Sequence, residues 1–116
     1  MGFLINNAWG NDDLEKATIA FVVANAAAGK GDARVFLANE GLVLALKGKA
    51  DNLQAEGYPP IKDLMEGFVE KGGVIWACKA CADVKGVTQD DLIAGAEIGG
   101  AGHTMGFLEA GGQMLM

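Results

Sequence analysis

The residues Val74-Ile-Trp-Ala-Cys-Lys-Ala-Cys81 hold both cysteines of this 116-residue chain. Residues three apart share a helix face, so Cys78 and Cys81 come together if they occupy a first helical turn. The apolar run ahead of Cys78 reads as a strand. The order strand, cysteine, helix therefore puts Cys78 at a helix N-terminus, where free N–H groups and the helix dipole favour thiolate over thiol. Three chemistries suit such a pair: sulfur carriage as a persulfide, dithiol–disulfide exchange, and metal binding. A structural zinc site takes four ligands. Here only the single His103 and carboxylates could join the two sulfurs, unless a second subunit contributes. A thioredoxin-like dithiol packs against a downstream proline, and no proline follows Pro60. The plain alternative is that both cysteines are small apolar fillers.

Other residues have two readings each. His103 lies near the start of the last expected helix, where it could activate a thiol, shuttle a proton or serve the local turn. Glu40 follows the second expected strand and either faces Cys78 or caps the helix it opens. Lys79 and Lys85 flank the cysteine pair and, if close, add to the preference for thiolate. The stretch Gly95 to Gly106 resembles a phosphate loop only superficially. No lysine follows Gly102, so it is not a Walker A loop. Gly100, Gly102 and Gly106 imitate a dinucleotide fingerprint in part, with too few residues behind them for a βαβ unit. The stretch reads as a tight strand-to-helix turn. Trp76 reads as core, Met105, Met114 and Met116 as apolar filling, and Asp12, Asp13, Asp90 and Asp91 as helix starts.

These residues need elements to position them. Strands are expected at Gly2 to Asn6, Ala33 to Ala38, Val74 to Ala77, Ala96 to Ile98 and Gln113 to Met116. Between them lies a long helix from about Asp13 to Gly29, apolar almost all round and so expected to be heavily buried. A short helix Leu42 to Lys47 and a polar loop Lys49 to Pro60 follow. Then come a helix Ile61 to Lys71 with apolar residues at helical spacing, a short helix Lys79 to Lys85, a turn Asp90 to Ala94, and a helix Gly102 to Ala110. Alternating strands and helices predict an α/β fold with a mostly parallel sheet of about five strands and helices on both faces. Such sheets carry their chemistry at the strands' carboxyl ends. Cys78, Glu40 and the Asn6-Asn7 loop all belong there.

Composition narrows the function classes. The chain is 51% hydrophobic and 21% charged, with a net charge of −6. That suits one domain over residues 1–116 and argues against direct nucleic-acid binding, which needs a basic face. The most apolar stretch, Ala17 to Ala28, is too short to span a bilayer and holds Asn25. The N-terminus has no basic and long apolar leader. Together with only two cysteines, this points to a reducing cytoplasm.

The assembled pattern resembles the DsrE/DsrF-like family of small sulfur-relay proteins. The shared features are an N-terminal strand and acidic loop, then the alanine-rich helix Leu14 to Gly29. They continue with Val35-Phe36-Leu37-Ala38-Asn39-Glu40-Gly41, the run Gly73 to Gly86 with its cysteines, and the closing Gly95-Ala-Glu-Ile. The resemblance implies a three-layer α/β/α domain that assembles as a homo- or hetero-oligomer, often a trimer or hexamer; no cofactor is expected. It also implies a cysteine that carries sulfane sulfur between donor and acceptor proteins. Cys78 takes the position of the carrier cysteine and Cys81 that of an accessory second cysteine. Lys85 stands where an arginine is common, which keeps the charge and loses the bidentate geometry. The rival readings are a non-catalytic oligomeric scaffold or binding module of the same fold, and a redox or metal-binding dithiol.

Overall fold

A computed structural model describes all residues, 1–116. Five strands form one sheet: β1 (Gly2–Asn7), β2 (Asp32–Leu37), β3 (Val74–Cys78), β4 (Ala96–Gly99) and β5 (Gln113–Leu115). Their order is β4-β3-β2-β1-β5, and every pairing is parallel. Five helices connect them: α1 (Leu14–Ala28), α2 (Glu40–Val43), α3 (Ile61–Glu70), α4 (Lys79–Lys85) and α5 (Ala101–Glu109). The α/β architecture with helices on both faces is as the sequence predicts.

The first face of the sheet holds the core. Ile5, Ala33, Val35, Leu37, Ile75 and Ala77 alternate inward from the three central strands and are fully or almost fully buried. α1 lies against them on Ala17, Ala20 and Ala24, small residues that let the helix approach closely, and on the large ring of Phe21. α3 packs beside it through Ile61, Met65 and Phe68. The rings of Phe21 and Phe68 meet edge to face at 6.1 Å. Burying each such side chain contributes about 1.5–3 kcal/mol. Asn25, the polar interruption in α1, joins the two helices. Its Nδ2 donates to the Phe21 and Leu64 carbonyls at 2.8 and 2.9 Å, and Lys71 Nζ donates to its Oδ1 at 2.7 Å. α1 is not buried all round as its composition suggested, since Val22 is 43% exposed.

The second face carries α5 alone. Phe107 packs edge to face on Trp76 at 6.0 Å. The Arg34 guanidinium lies 5.3 Å from the Trp76 ring centre and 5.7 Å from that of Phe107. Arg34 is held by both carboxylate oxygens of Asp32, and Trp76 Nε1 donates to Glu97 at 2.9 Å. α5 itself buries no residue fully. Met105, Met114 and Met116 are 55%, 46% and 60% exposed. This corrects the expectation that they fill the core: α5 and the short edge strand β5 have nothing packed outside them.

One element is shorter than expected. The helix anticipated at Leu42 to Lys47 is the single turn α2 followed by further turns. The chain leaves the helix because its backbone pairs with a distant segment: Lys47 N–H donates to the Asp91 carbonyl and Ile93 N–H to that of Ala45. The turn after Val87 is a 3-10 turn, Gln89–Asp91, whose Asp91 carboxylate accepts from the Thr88 N–H at 2.8 Å. No helix is long and apolar enough to cross a membrane.

Candidate functional site

Parallel pairing brings four loops to one end of the sheet. β1 ends at Asn7, β2 at Leu37, β3 at Cys78 and β4 at Gly99, with Cys78 and Gly99 in register. β5 joins on the far side of β1, so the strand order reverses between β1 and β5. The thiol pair lies at β3, two strands from that switch point.

Cys78 ends β3 and is the N-cap of α4, with Cys81 in its first turn. Both are free thiols and half-buried. Cys81 packs against the main core beside Ala82. α4 spans only seven residues and stops at Gly86, whose φ of 69° supplies the left-handed cap. Its dipole is correspondingly short. The flanking lysines have partners of their own. Lys79 Nζ is 3.0 Å from Asp83 Oδ2, an exposed i,i+4 pair, and Lys85 Nζ is 3.9 Å from Glu40 Oε1. Exposed pairs of this kind are worth up to about 1 kcal/mol. Glu40 thus meets Lys85 as the first residue of α2, and its recorded polar contact is with that lysine.

The β2–α2 loop lies along the α4 face that bears Cys81 and Lys85. Ala38 to Gly41 form a tight turn closed by the Gly41 N–H on the Ala38 carbonyl at 2.9 Å. Asn39 occupies its first central position at φ 52°, ψ −127°, the geometry of a type II′ turn that favours glycine. Holding a side chain there costs roughly 1–3 kcal/mol and persists only when the surroundings enforce it. They do so through close backbone packing with the β1 loop. A side chain at Gly10 would overlap the Glu40 carbonyl, and one at Gly41 would overlap that of Asn7. Asn7 is buried and braces its own loop, donating to the Trp9 carbonyl at 2.8 Å and accepting from the Trp9 N–H at 3.1 Å. The result is that Asn39 N–H donates to Cys81 Sγ at 3.2 Å.

His103 lies in the first turn of α5. Its Nδ1 accepts from the Gly100 N–H at 3.1 Å, and its ring meets Trp76 edge to face at 5.3 Å. Its recorded contacts are thus with its own turn and with Trp76, two residues before Cys78. No three of the chain's His, Cys, Asp and Glu side chains converge on one point.

Of the expected site residues, the structure brings together Cys78, Cys81, Glu40 and Lys85 around α4, while His103 serves the neighbouring turn. Sequence reasoning missed Asn39. The signal was present as Asn-Glu-Gly directly after an apolar strand, since asparagine tolerates positive φ better than most residues.

The chain is 33% identical over 107 residues to the uncharacterized protein MJ0760 of Methanocaldococcus jannaschii, an alignment covering 91% of this chain and 38% of that protein. It is 29% identical over 85 residues to the uncharacterized protein MK0008 of Methanopyrus kandleri, covering 72% of this chain and 67% of that one. It thus spans well under half the length of MJ0760. Among solved structures, the ychN protein of E. coli superposes with a TM-score of 0.67 at 23% identity, covering 98% of this chain and 97% of that one. MTH1491 of Methanobacterium thermoautotrophicum, a protein of unknown function, superposes with a TM-score of 0.65 at 19% identity, covering 98% and 95%. Both share the fold. The DsrE/DsrF-like family model matches residues 1–116, and the chain belongs to that family.

Proposed function

We propose that this protein is an intracellular sulfur-relay protein that carries sulfane sulfur as a persulfide on Cys78. The observation that carries this reading is Cys78 itself. It is a free, half-buried thiol at the carboxyl end of a central strand, at the N-cap position of a helix, with a second thiol in that helix's first turn. A thiol placed so is reachable by a partner and shielded on one side.

The chemistry is two displacements at sulfur. Cys78 thiolate attacks the terminal sulfur of a donor persulfide, the donor S–S bond breaks, and the donor leaves as thiolate. An acceptor thiolate then attacks the terminal sulfur of the Cys78 persulfide, and Cys78 leaves as thiolate. No net oxidation occurs. Cys81 offers a branch: its thiolate attacks the inner sulfur of the Cys78 persulfide, forming a Cys78–Cys81 disulfide and releasing hydrosulfide. The sulfane sulfur is then reduced and the two thiols are oxidised. The transfer route returns Cys78 as thiolate by itself; the disulfide branch requires a reducing compartment such as the cytoplasm, where the two thiols are regenerated. The reading also includes self-assembly, as trimers or hexamers, and docking of donor and acceptor proteins.

The test is intact-mass analysis after exposure to a sulfane donor. Wild type should gain one sulfur atom, Cys78→Ser none, and Cys81→Ser should hold the added sulfur longer than wild type. Sulfur addition that survives Cys78→Ser, or none on wild type, overturns the reading.

A further inference from the structure

Two consecutive residues of the β2–α2 turn are tied to α4. Asn39 N–H donates to Cys81 Sγ at 3.2 Å, and Glu40 Oε1 lies 3.9 Å from Lys85 Nζ. The ion pair is at the limit of contact and partly exposed, so it is the weaker tie. The Asn39 side chain makes no cap on α2, and its backbone sits where glycine is favoured. The thiol of Cys81 is thus the acceptor that accounts for where the Asn39 N–H points.

We propose that the Asn39–Cys81 contact is a redox-sensitive latch: it holds the β2–α2 turn against α4 while Cys81 is a thiol, and closing the Cys78–Cys81 disulfide releases it. The proposal rests on the reading of the two cysteines as a chemically active pair, and not on sulfur transfer itself. The oxidant is a low-molecular-weight disulfide. Cys78 thiolate attacks one of its sulfurs and expels a thiolate. Cys81 thiolate then attacks the Cys78 sulfur of the mixed disulfide and expels the second. The protein loses two electrons, the small disulfide gains them, and the two departing thiolates take up the protons. To make this bond Cys81 Sγ must come within about 2.05 Å of Cys78 Sγ, in the narrow geometry a disulfide allows. The Cys81 sulfur keeps its lone pairs but turns towards Cys78 and leaves the position 3.2 Å from the Asn39 N–H. The Asn39 end of the turn then loses its better tie to α4 and lifts from it, while Gly41 stays held by the Ala8 carbonyl of the β1 loop, exposing the carboxyl edge of the sheet next to Cys78 to a partner.

Amide hydrogen exchange tests this on the full chain. In excess reduced glutathione the Asn39 amide should be protected. After oxidised glutathione, with the intramolecular disulfide verified by mass, it should exchange about tenfold faster or more, as expected for local opening. The Ile5 and Val35 amides in the central strands should not change. Cys81→Ala should show the fast rate already under reduction, with no further response to oxidant. Cys81→Ser keeps an acceptor that cannot oxidise, so its Asn39 amide should stay protected in both buffers. A rate within twofold of the reduced one after disulfide formation overturns the latch. So does full protection in Cys81→Ala, or failure of the disulfide to form at all. Failure of sulfur loading on Cys78 would leave these rates as stated, so the two readings fail separately.

Discussion

His103 spends its Nδ1 as an acceptor for the Gly100 N–H, which leaves the proton on Nε2 and makes this residue a cap for its own helix. His103→Ala should lower stability by about 1 kcal/mol, the worth of one such bond, while sulfur loading of Cys78 proceeds at the wild-type rate. Thermal melts and intact mass check the two halves. Slowed loading with unchanged stability would make His103 a proton-transfer group. At this scale the place of the cysteines was legible because an apolar run, a cysteine and a helical spacing follow one another in the sequence, although the spacing alone suits several chemistries. The partners of Lys79, Lys85 and Glu40 were not, because side chains one turn or many residues apart choose among carboxylates only once the backbone is placed. Asn39 was hidden for the same reason: its role lies in its N–H, which every residue but proline carries.

At the scale of elements, the site depends on two loops that touch backbone to backbone. Gly41 N–H reaches both the Ala8 and Ala38 carbonyls, at 3.3 and 2.9 Å, and its Cα faces the Asn7 carbonyl with no room for a methyl group. Gly41→Ala should therefore cost about 1–3 kcal/mol, the range for overpacking a tight contact. It should also displace the β2–α2 turn, which chemical denaturation and the Asn39 amide shift would report. A variant as stable as wild type would show that the loops yield freely. The strands and α1 were readable from short apolar runs and from one long apolar segment with acidic starts. The short helix after Glu40 was not readable beyond its first turn. Its end is set by pairing of Ala45 and Lys47 with residues near Leu92, a contact that no local propensity encodes.

For the whole molecule, the imbalance between the two faces of the sheet is the main fact. Two helices seal one face, and one short helix with no fully buried residue lies on the other. Asn6 Nδ2 donates to the Met114 sulfur at 3.1 Å on that second side, with Met114 nearly half exposed. If copies of the chain assemble, as the proposed function includes, methionines at this edge suit an adaptable apolar contact. Met114→Glu should then shift the sedimentation of the protein towards the monomer without altering its melting as a monomer. An unchanged sedimentation profile would place the contact elsewhere. The α/β class was legible because parallel strands must alternate with crossover helices. The thin cover of the second face, with α5 and β5 exposed on their outer sides, was not. A methionine inside a core and one at an edge look alike in sequence, and three residues of edge strand carry no periodicity to read.

The bond between Asn39 and Cys81 spans 42 residues, and this gives the chain a history as well as a shape. Cys78 and Cys81 are near neighbours from the moment they are synthesised. Loops of about ten residues close in roughly 10–100 ns. Asn39 meets Cys81 only after β2 and β3 have paired across their crossover, and non-local parallel pairing is slow. The two thiols therefore meet each other long before either meets its place in the fold. If the proposed latch holds, a chain that folds among oxidants can arrive with its sulfurs already joined and its turn unfastened, and reduction must then undo that bond before the turn can close.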